Sequence, residues 1–147
     1  CTDEGFFRYA SKQHLFVFKQ LNLGNQGEAP IIASSWFISS EIGNPIVVLT
    51  RNLLYAYWQD YDYLLNYFAF HLFFTMACRR YENEWESIPA FNNSSPHMLM
   101  FELKRDYSSE RWEQLMKMSG IHKLQRYDDY SDLKKSNYCK ILDTYLQ

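Results

Sequence analysis

The chain has 147 residues, one domain's worth, and such a length can bury about two-thirds of its unfolded surface. Its 15 Lys and Arg against 17 Asp and Glu leave a net charge of −2, which excludes the basic excess of a nucleic-acid-binding module. Three widely spaced cysteines, Cys1, Cys78 and Cys139, form neither a disulfide framework nor a C-x-x-C zinc pair, so a reducing compartment is the simpler setting. Aromatics make up 18% of the chain, with 12 tyrosines. Tyrosine has an apolar body and a polar tip, which suits a core and a sugar-facing surface equally.

In chain order, the stretch 14–20 (HLFVFKQ) predicts a short strand. Residues 21–30 read as a loop, with Gly24, Gly27 and Pro30 as its turn signals. The run 31–39 (IIASSWFIS) predicts a second, buried strand. Asn44-Pro45 then opens a helix, because Asn caps well and Pro at the first helical position loses no needed N–H. Ile46, Leu49, Leu53 and Tyr57 follow at helical spacing, with Val47, Leu54 and Trp58 beside them.

A break at 60–62 precedes a longer predicted helix from about Asp62 to Arg80. It is apolar on most sides, which places it at the centre of the core. Tyr63, Tyr67, His71 and Thr75 recur every four residues along it, and Asn66 falls on a different face. The stretch 81–96 reads as irregular, and 97–103 as the start of a further helix. Ser108 or Ser109 caps the next helix, whose buried face carries Trp112, Leu115 and Met116 and which Gly120 stops. The stretch 121–127 (IHKLQRY) reads as extended. A last helix is predicted over 132–146, with Leu133, Ile141, Leu142 and Tyr145 as its apolar contacts. Cys78, Trp58, Trp85 and Trp112 are assigned to the core.

Standard catalytic signatures are absent. There is no G-x-x-x-x-G-K-[ST] loop, no G-x-G-x-x-G turn, no G-x-S-x-G elbow and no H-E-x-x-H pair. The longest greasy stretch, 67–78, is too short to span a bilayer. Residue types alone therefore define only an α/β domain, mostly helical with a few strands.

The order of local patterns says more. The run SSWFISSEIGNPIVVLTRNLLYAYW, the block YDYLLNYFAFHLFFTMA with Tyr67, Phe68 and His71, the pair Ile88-Pro89, the P-H-x-L of Pro96, His97 and Leu99, and the I-H-K-L of 121–124 follow one another. Together they resemble the capsular polysaccharide synthesis proteins, sugar transferases of a mannosyltransferase-like group. The resemblance covers about residues 14–127. It implies a glycosyltransferase of the glycosyltransferase A, Rossmann-like fold, with this chain as the C-terminal half of the catalytic domain. The expected reaction moves a sugar from a nucleotide-sugar donor to a saccharide acceptor on a growing capsular or cell-surface polysaccharide. It implies a divalent metal, Mn or Mg, whose acidic ligands would precede Cys1. On that expectation this chain alone is inactive.

The resemblance also assigns roles. Lys123 and His122 are expected at the donor diphosphate, His122 near the metal, because Lys is a point-charge partner for phosphate and neutral His completes a metal shell. Asn66, His71, His97 and Trp36 are the expected acceptor or sugar contacts, and no catalytic base is identified. Asn66 stands where the family usually has an acid, and an amide cannot act as a base. Each of these residues also has a structural reading: a core histidine, a buried amide, a core tryptophan or a surface turn. The expected setting is cytoplasmic, with room for association at the inner face of the membrane. Two other readings remain open: a carbohydrate-binding module lipid-anchored through Cys1, with the tyrosines as its platform, and a helical interaction protein.

Overall fold

The computed structural model describes residues 4–21, 31–125 and 134–145. The chain is mostly helical, with one two-stranded antiparallel sheet. Residues 22–30 of the loop predicted at 21–30, Arg126 and Tyr127 of the extended stretch, Asp132 and Leu133 of the last helix, Leu146, and Cys1 lie outside the described residues. The elements, in order, are α1 (Glu4–Ala10), β1 (Leu15–Val17), β2 (Ile38–Ser40), α2 (Pro45–Asp60), α3 (Ala69–Arg80), α4 (Glu82–Ser87), α5 (Ser94–Glu102), α6 (Ser109–Met118) and α7 (Asn137–Tyr145). They fall into two compact units, one spanning Arg8–Asn93 and the other Ser94–Gln147 with Cys1–Phe7.

In the Arg8–Asn93 unit, β1 and β2 pair in the register Leu15↔Ser40, Phe16↔Ser39 and Val17↔Ile38. The second strand is shorter than its sequence suggests. Ser34 N–H still donates to the Phe18 carbonyl at 3.0 Å, but the chain bends at Ser35 and Trp36. The Trp36 ring stacks on Phe18, 5.0 Å between centroids, so aromatic packing replaces ladder pairing there.

Helix α2 starts where the sequence places it. Asn44 Oδ1 accepts the N–H groups of Ile46 and Val47 at 3.1 and 3.3 Å, satisfying two donors that a helix start leaves orphaned. The Asn44 amide also donates to Glu84 Oε1 at 3.1 Å and to the His14 carbonyl at 3.3 Å. One buried side chain thereby ties α2 to α4 and to the entry of β1. Leu15, Val17, Ile46, Phe74, Ala77, Cys78 and Ile88 form the core, with Val47, Leu49, Phe70 and Trp85 packed against it.

The helix expected from Asp62 begins only at Ala69. Asn66 Oδ1 accepts the Phe68 N–H at 2.7 Å and the Asn66 carbonyl accepts the Ala69 N–H at 3.0 Å. This local turn competes with helix and holds 61–68 as a loop. Tyr63 and Tyr67 therefore do not share a helix face with His71 and Thr75. Helix α3 is central but not covered all round, since Met76 is exposed and Phe73 is only half-buried. Trp58, expected in the core, is 48% exposed. The stretch 81–96 is not irregular throughout: α4 occupies 82–87, and α5 starts at Ser94, ahead of its expected start.

In the other unit, Leu99, Leu103 and Leu115 make the core, with Met98, Trp112, Met116, Tyr138 and Ile141 against it. Ser108 caps α6, its Oγ accepting the Arg111 N–H at 3.5 Å. Ser136 caps α7 by accepting the Cys139 N–H at 3.2 Å. Tyr145, expected as an apolar contact of this helix, is 50% exposed. Among the described residues, no helix is long and apolar enough to cross a membrane.

Candidate functional site

The site is built where two short sequence blocks meet. Helix α6 ends at Met118, and a turn comes next that Ser119 stabilises by itself. Its hydroxyl donates to the Ile121 carbonyl at 2.6 Å and accepts the Ile121 N–H at 3.3 Å. Ile121 is buried and anchors the start of the I-H-K-L block. The Lys123 N–H then donates to the Pro96 carbonyl in the first turn of α5, at 2.9 Å. That bond joins the I-H-K-L block to the P-H-x-L block. His97, next to Pro96, is buried.

The described part of the predicted extended stretch, 121–125, is not a named strand.

His122 has an unmet requirement. Both of its ring nitrogens are closed off from solvent, and neither makes a well-formed hydrogen bond; the Ser119 backbone is a weak polar neighbour that offsets only part of the burial. A neutral imidazole carries one donor and one acceptor, and leaving such a group unsatisfied costs about 1–3 kcal/mol. Burial holds the His122 pKa below the usual imidazole range, so the ring is neutral at pH 7. Lys123, one residue on, has no carboxylate partner among the described residues.

The helix carrying His97 is held firmly. Glu102, at its far end, is buried, and Arg111 of α6 grips its carboxylate with two bonds, Nε to Oε2 at 3.1 Å and Nη2 to Oε1 at 2.5 Å. The Arg111 guanidinium keeps the Glu102 carboxyl below its ordinary pKa. Asn137 of α7 donates from Nδ2 to the Glu102 carbonyl at 2.9 Å, while its own N–H donates to the Arg105 carbonyl at 2.9 Å. Sequence reasoning missed this clamp. Glu102 and Arg111 stand nine positions apart on different helices, so no helical spacing links them.

A divalent metal finds no ligand set here. Among the described residues no three of His, Cys, Asp and Glu gather to hold one, and His122 is a single nitrogen donor. His122 alone does not make a metal site, the acidic ligands being expected ahead of Cys1, and no step is derived through a metal.

The model of the family described as capsular polysaccharide synthesis protein matches residues 1–142. The chain belongs to this family. No curated protein and no solved structure matches it. The family gives the chain a role in capsular polysaccharide synthesis.

The remaining family-pattern residues lie in the Arg8–Asn93 unit and are more committed locally. Asn66 is exposed, and its Oδ1 is occupied by the Phe68 N–H. Trp36 has one ring face against Phe18 and also contacts Phe37. His71 is half-buried between the rings of Phe68 and Phe70, at 6.0 and 5.7 Å, and burial lowers its pKa. Cys78 is buried in the core, and burial pushes its thiol up to about 12. It is therefore an inert small hydrophobe, not a nucleophile.

Proposed function

We propose that this protein works as a glycosyltransferase of capsular polysaccharide synthesis, with the Pro96–His97 and Ile121–Leu124 blocks at its donor diphosphate. The observation that carries the reading is the His122 imidazole, whose buried nitrogens make no well-formed hydrogen bond, followed in sequence by Lys123, which has no carboxylate partner among the described residues, in a segment bonded back to Pro96. A buried donor and acceptor without well-formed bonds call for a ligand that supplies them, and the cation next in sequence selects an anionic one.

In the proposed reaction, an acceptor hydroxyl forms a new bond to the donor sugar's anomeric carbon. The bond from that carbon to the diphosphate oxygen breaks, the electron pair leaves with the diphosphate, and the hydroxyl proton passes to solvent water. Negative charge grows on the departing nucleoside diphosphate, and Lys123 stabilises that charge more in the transition state than in the ground state. His122 donates a ring N–H to a diphosphate oxygen. The glycosyltransferase A fold, an acidic metal motif outside these residues and a bound Mn or Mg belong to the same proposal. A cytoplasmic site of action belongs to it as well. Among the acceptor-side assignments, the Asn66 oxygen and one ring face of Trp36 are already engaged.

The test uses the protein expressed from its full reading frame, a panel of nucleotide sugars, and release of nucleoside diphosphate as the readout. Lys123→Ala should lower kcat about a hundredfold or more, as loss of one charge-stabilising contact does, with the melting temperature unchanged. Lys123→Arg should restore only part of the rate, because a planar fork does not replace a point charge. Wild-type turnover in Lys123→Ala would return the pair to a surface turn.

A further inference from the structure

The Arg8–Asn93 unit carries a second feature that the transferase reading does not use. Ile38, Val47, Leu54, Phe70 and Phe74 line an open groove of about 170 Å³ between α2, α3 and β2. Its surface is almost wholly apolar. The Thr50 hydroxyl, which also borders it, is already spent on the Ile46 carbonyl at 2.8 Å.

Arg51 stands at the groove's rim. Among the described residues its guanidinium bonds only to the neighbouring Asn52 side chain, at 3.1 and 3.3 Å, and has no carboxylate partner. Arg51, Leu54, Tyr55 and Trp58 fall on one stripe of α2 at three- and four-residue spacing. Tyr55 and Trp58 are exposed. The stripe runs into the 61–67 loop, where Leu65 is 66% and Tyr67 82% exposed, with Tyr63 and Leu64 close behind.

That loop is held in place. Tyr57 reaches under it, its hydroxyl donating to the Tyr63 carbonyl at 2.6 Å and accepting the Leu65 N–H at 3.0 Å. Its ring stacks on Tyr61 at 5.1 Å and meets Phe73 at 5.8 Å. The exposed leucines and tyrosines are thus presented on a fixed backbone.

We propose that this face docks on a lipid bilayer, one acyl chain of an anionic phospholipid entering the groove with its phosphate on Arg51. The side-chain chemistry matches each layer of the bilayer edge. Leu64 and Leu65 enter the acyl boundary. Trp58, Tyr61, Tyr63 and Tyr67 have the apolar body and polar tip that settle at headgroup depth. Arg51 supplies the positive charge that an anionic headgroup neutralises. Asp60 and Asp62 lie in the same segment, so the attraction is local to Arg51 rather than a polybasic pull. Docking depends on the groove and the loop, not on the donor site, and nucleotide release onto a soluble acceptor tests that site separately.

The experiment is vesicle co-sedimentation of the full-length protein. One set of vesicles holds three parts phosphatidylcholine to one part phosphatidylglycerol, the other phosphatidylcholine alone. The protein should sediment with the first and less with the second. The double substitution Leu64→Ser/Leu65→Ser touches only exposed side chains and should weaken partitioning about tenfold or more. Arg51→Gln should weaken binding to the anionic vesicles about fivefold and leave the neutral ones unchanged. Brominated lipid should quench tryptophan emission in the wild type, and Trp58→Phe should abolish that quenching. Failure to sediment with either vesicle overturns the proposal, as does binding that the double serine variant leaves unchanged. A solution dimer that the same variant dissolves, with no lipid binding, would make the face a self-association surface and overturn it too.

Discussion

The two units of this chain hold themselves together by different means. The Arg8–Asn93 unit relies on apolar packing, with Leu15, Val17, Ile46, Phe74 and Ile88 meeting in one cluster and aromatic rings filling the spaces between elements. The unit from Ser94 onward has a smaller cluster of Leu99, Leu103 and Leu115. It adds a buried carboxylate, a guanidinium and an amide that lock α5, α6 and α7 to one another. Apolar packing tolerates variation so long as volume is kept. A buried charge clamp does not, because removing either partner strands the other. The candidate donor site belongs to the clamped unit, where a fixed backbone suits a group that must meet developing charge.

The largest effect that would test this contrast is at Phe74. It is buried at the centre of the apolar cluster, stacked on Phe70 at 5.7 Å and edge-on to Trp85 at 6.0 Å. Phe74→Ala should destabilise by about 3–5 kcal/mol, read by urea denaturation. The half-buried Phe73 should cost clearly less on the same substitution. Equal losses at the two positions would mean that α3 is covered on all sides.

Next comes the clamp. Glu102→Ala leaves Arg111 without its carboxylate. Arg111 is 38% exposed, so water recovers part of the loss, and the cost should fall to about 2–3 kcal/mol, under the range for a fully buried pair. Glu102→Gln keeps an acceptor and should cost less than half of that. A Glu102→Ala protein as stable as wild type would show that the Leu99–Leu115 cluster suffices without the clamp.

The same contrast explains what the sequence makes legible. Asn44-Pro45 and Ser108 announce their helices because capping is local chemistry, readable within four residues. The apolar face of α6 follows from spacing alone. Spacing sets the start of α3 too early, because a four-residue recurrence from Tyr63 to Thr75 imitates a helix face, while the Asn66 turn that interrupts it is a single side-chain bond. Trp58 misleads for a related reason: an aromatic residue on an apolar stripe reads as core whether or not anything covers it. The Glu102–Arg111–Asn137 clamp is invisible in the sequence, since each bond joins residues on different helices. At the candidate site, resemblance marks His122 and Lys123. That Pro96 and Lys123 meet, and that the His122 nitrogens make no well-formed hydrogen bond, emerges only in three dimensions.

A smaller effect probes the locally written part. Asn44→Ala removes the cap of α2 along with the bonds to Glu84 and the His14 carbonyl. It should cost about 1–2 kcal/mol. Asn44→Asp keeps the cap acceptor but sets a second carboxylate against Glu84, so it should recover only part of the loss. If Asp restores full stability, the amide bonds to Glu84 and His14 contribute nothing.

The smallest effect is a difference in titration. His14 is exposed, and its Nδ1 lies 2.8 Å from Glu41 Oε2. That hydrogen bond, and then the charge of Glu41, raise its pKa above the usual value of about 6.5. His71 and His122 move the other way, because burial disfavours their charged forms. The folded state therefore binds more protons than the unfolded chain at His14, and fewer at the two buried rings. The His14 contribution is fully present below about pH 6.5 and is lost as pH rises through its folded pKa. The contribution of keeping His71 and His122 neutral is present above about pH 6.5 and is lost as pH falls below it. The ring Cε1 proton resonances, followed by NMR, should show His14 titrating at higher pH than either of the others, and Glu41→Gln should bring His14 back towards the usual value. A His122 that titrates like a free imidazole would mean that its ring is open to water. The unmet hydrogen bonds that support its place at a donor diphosphate would then disappear with its burial.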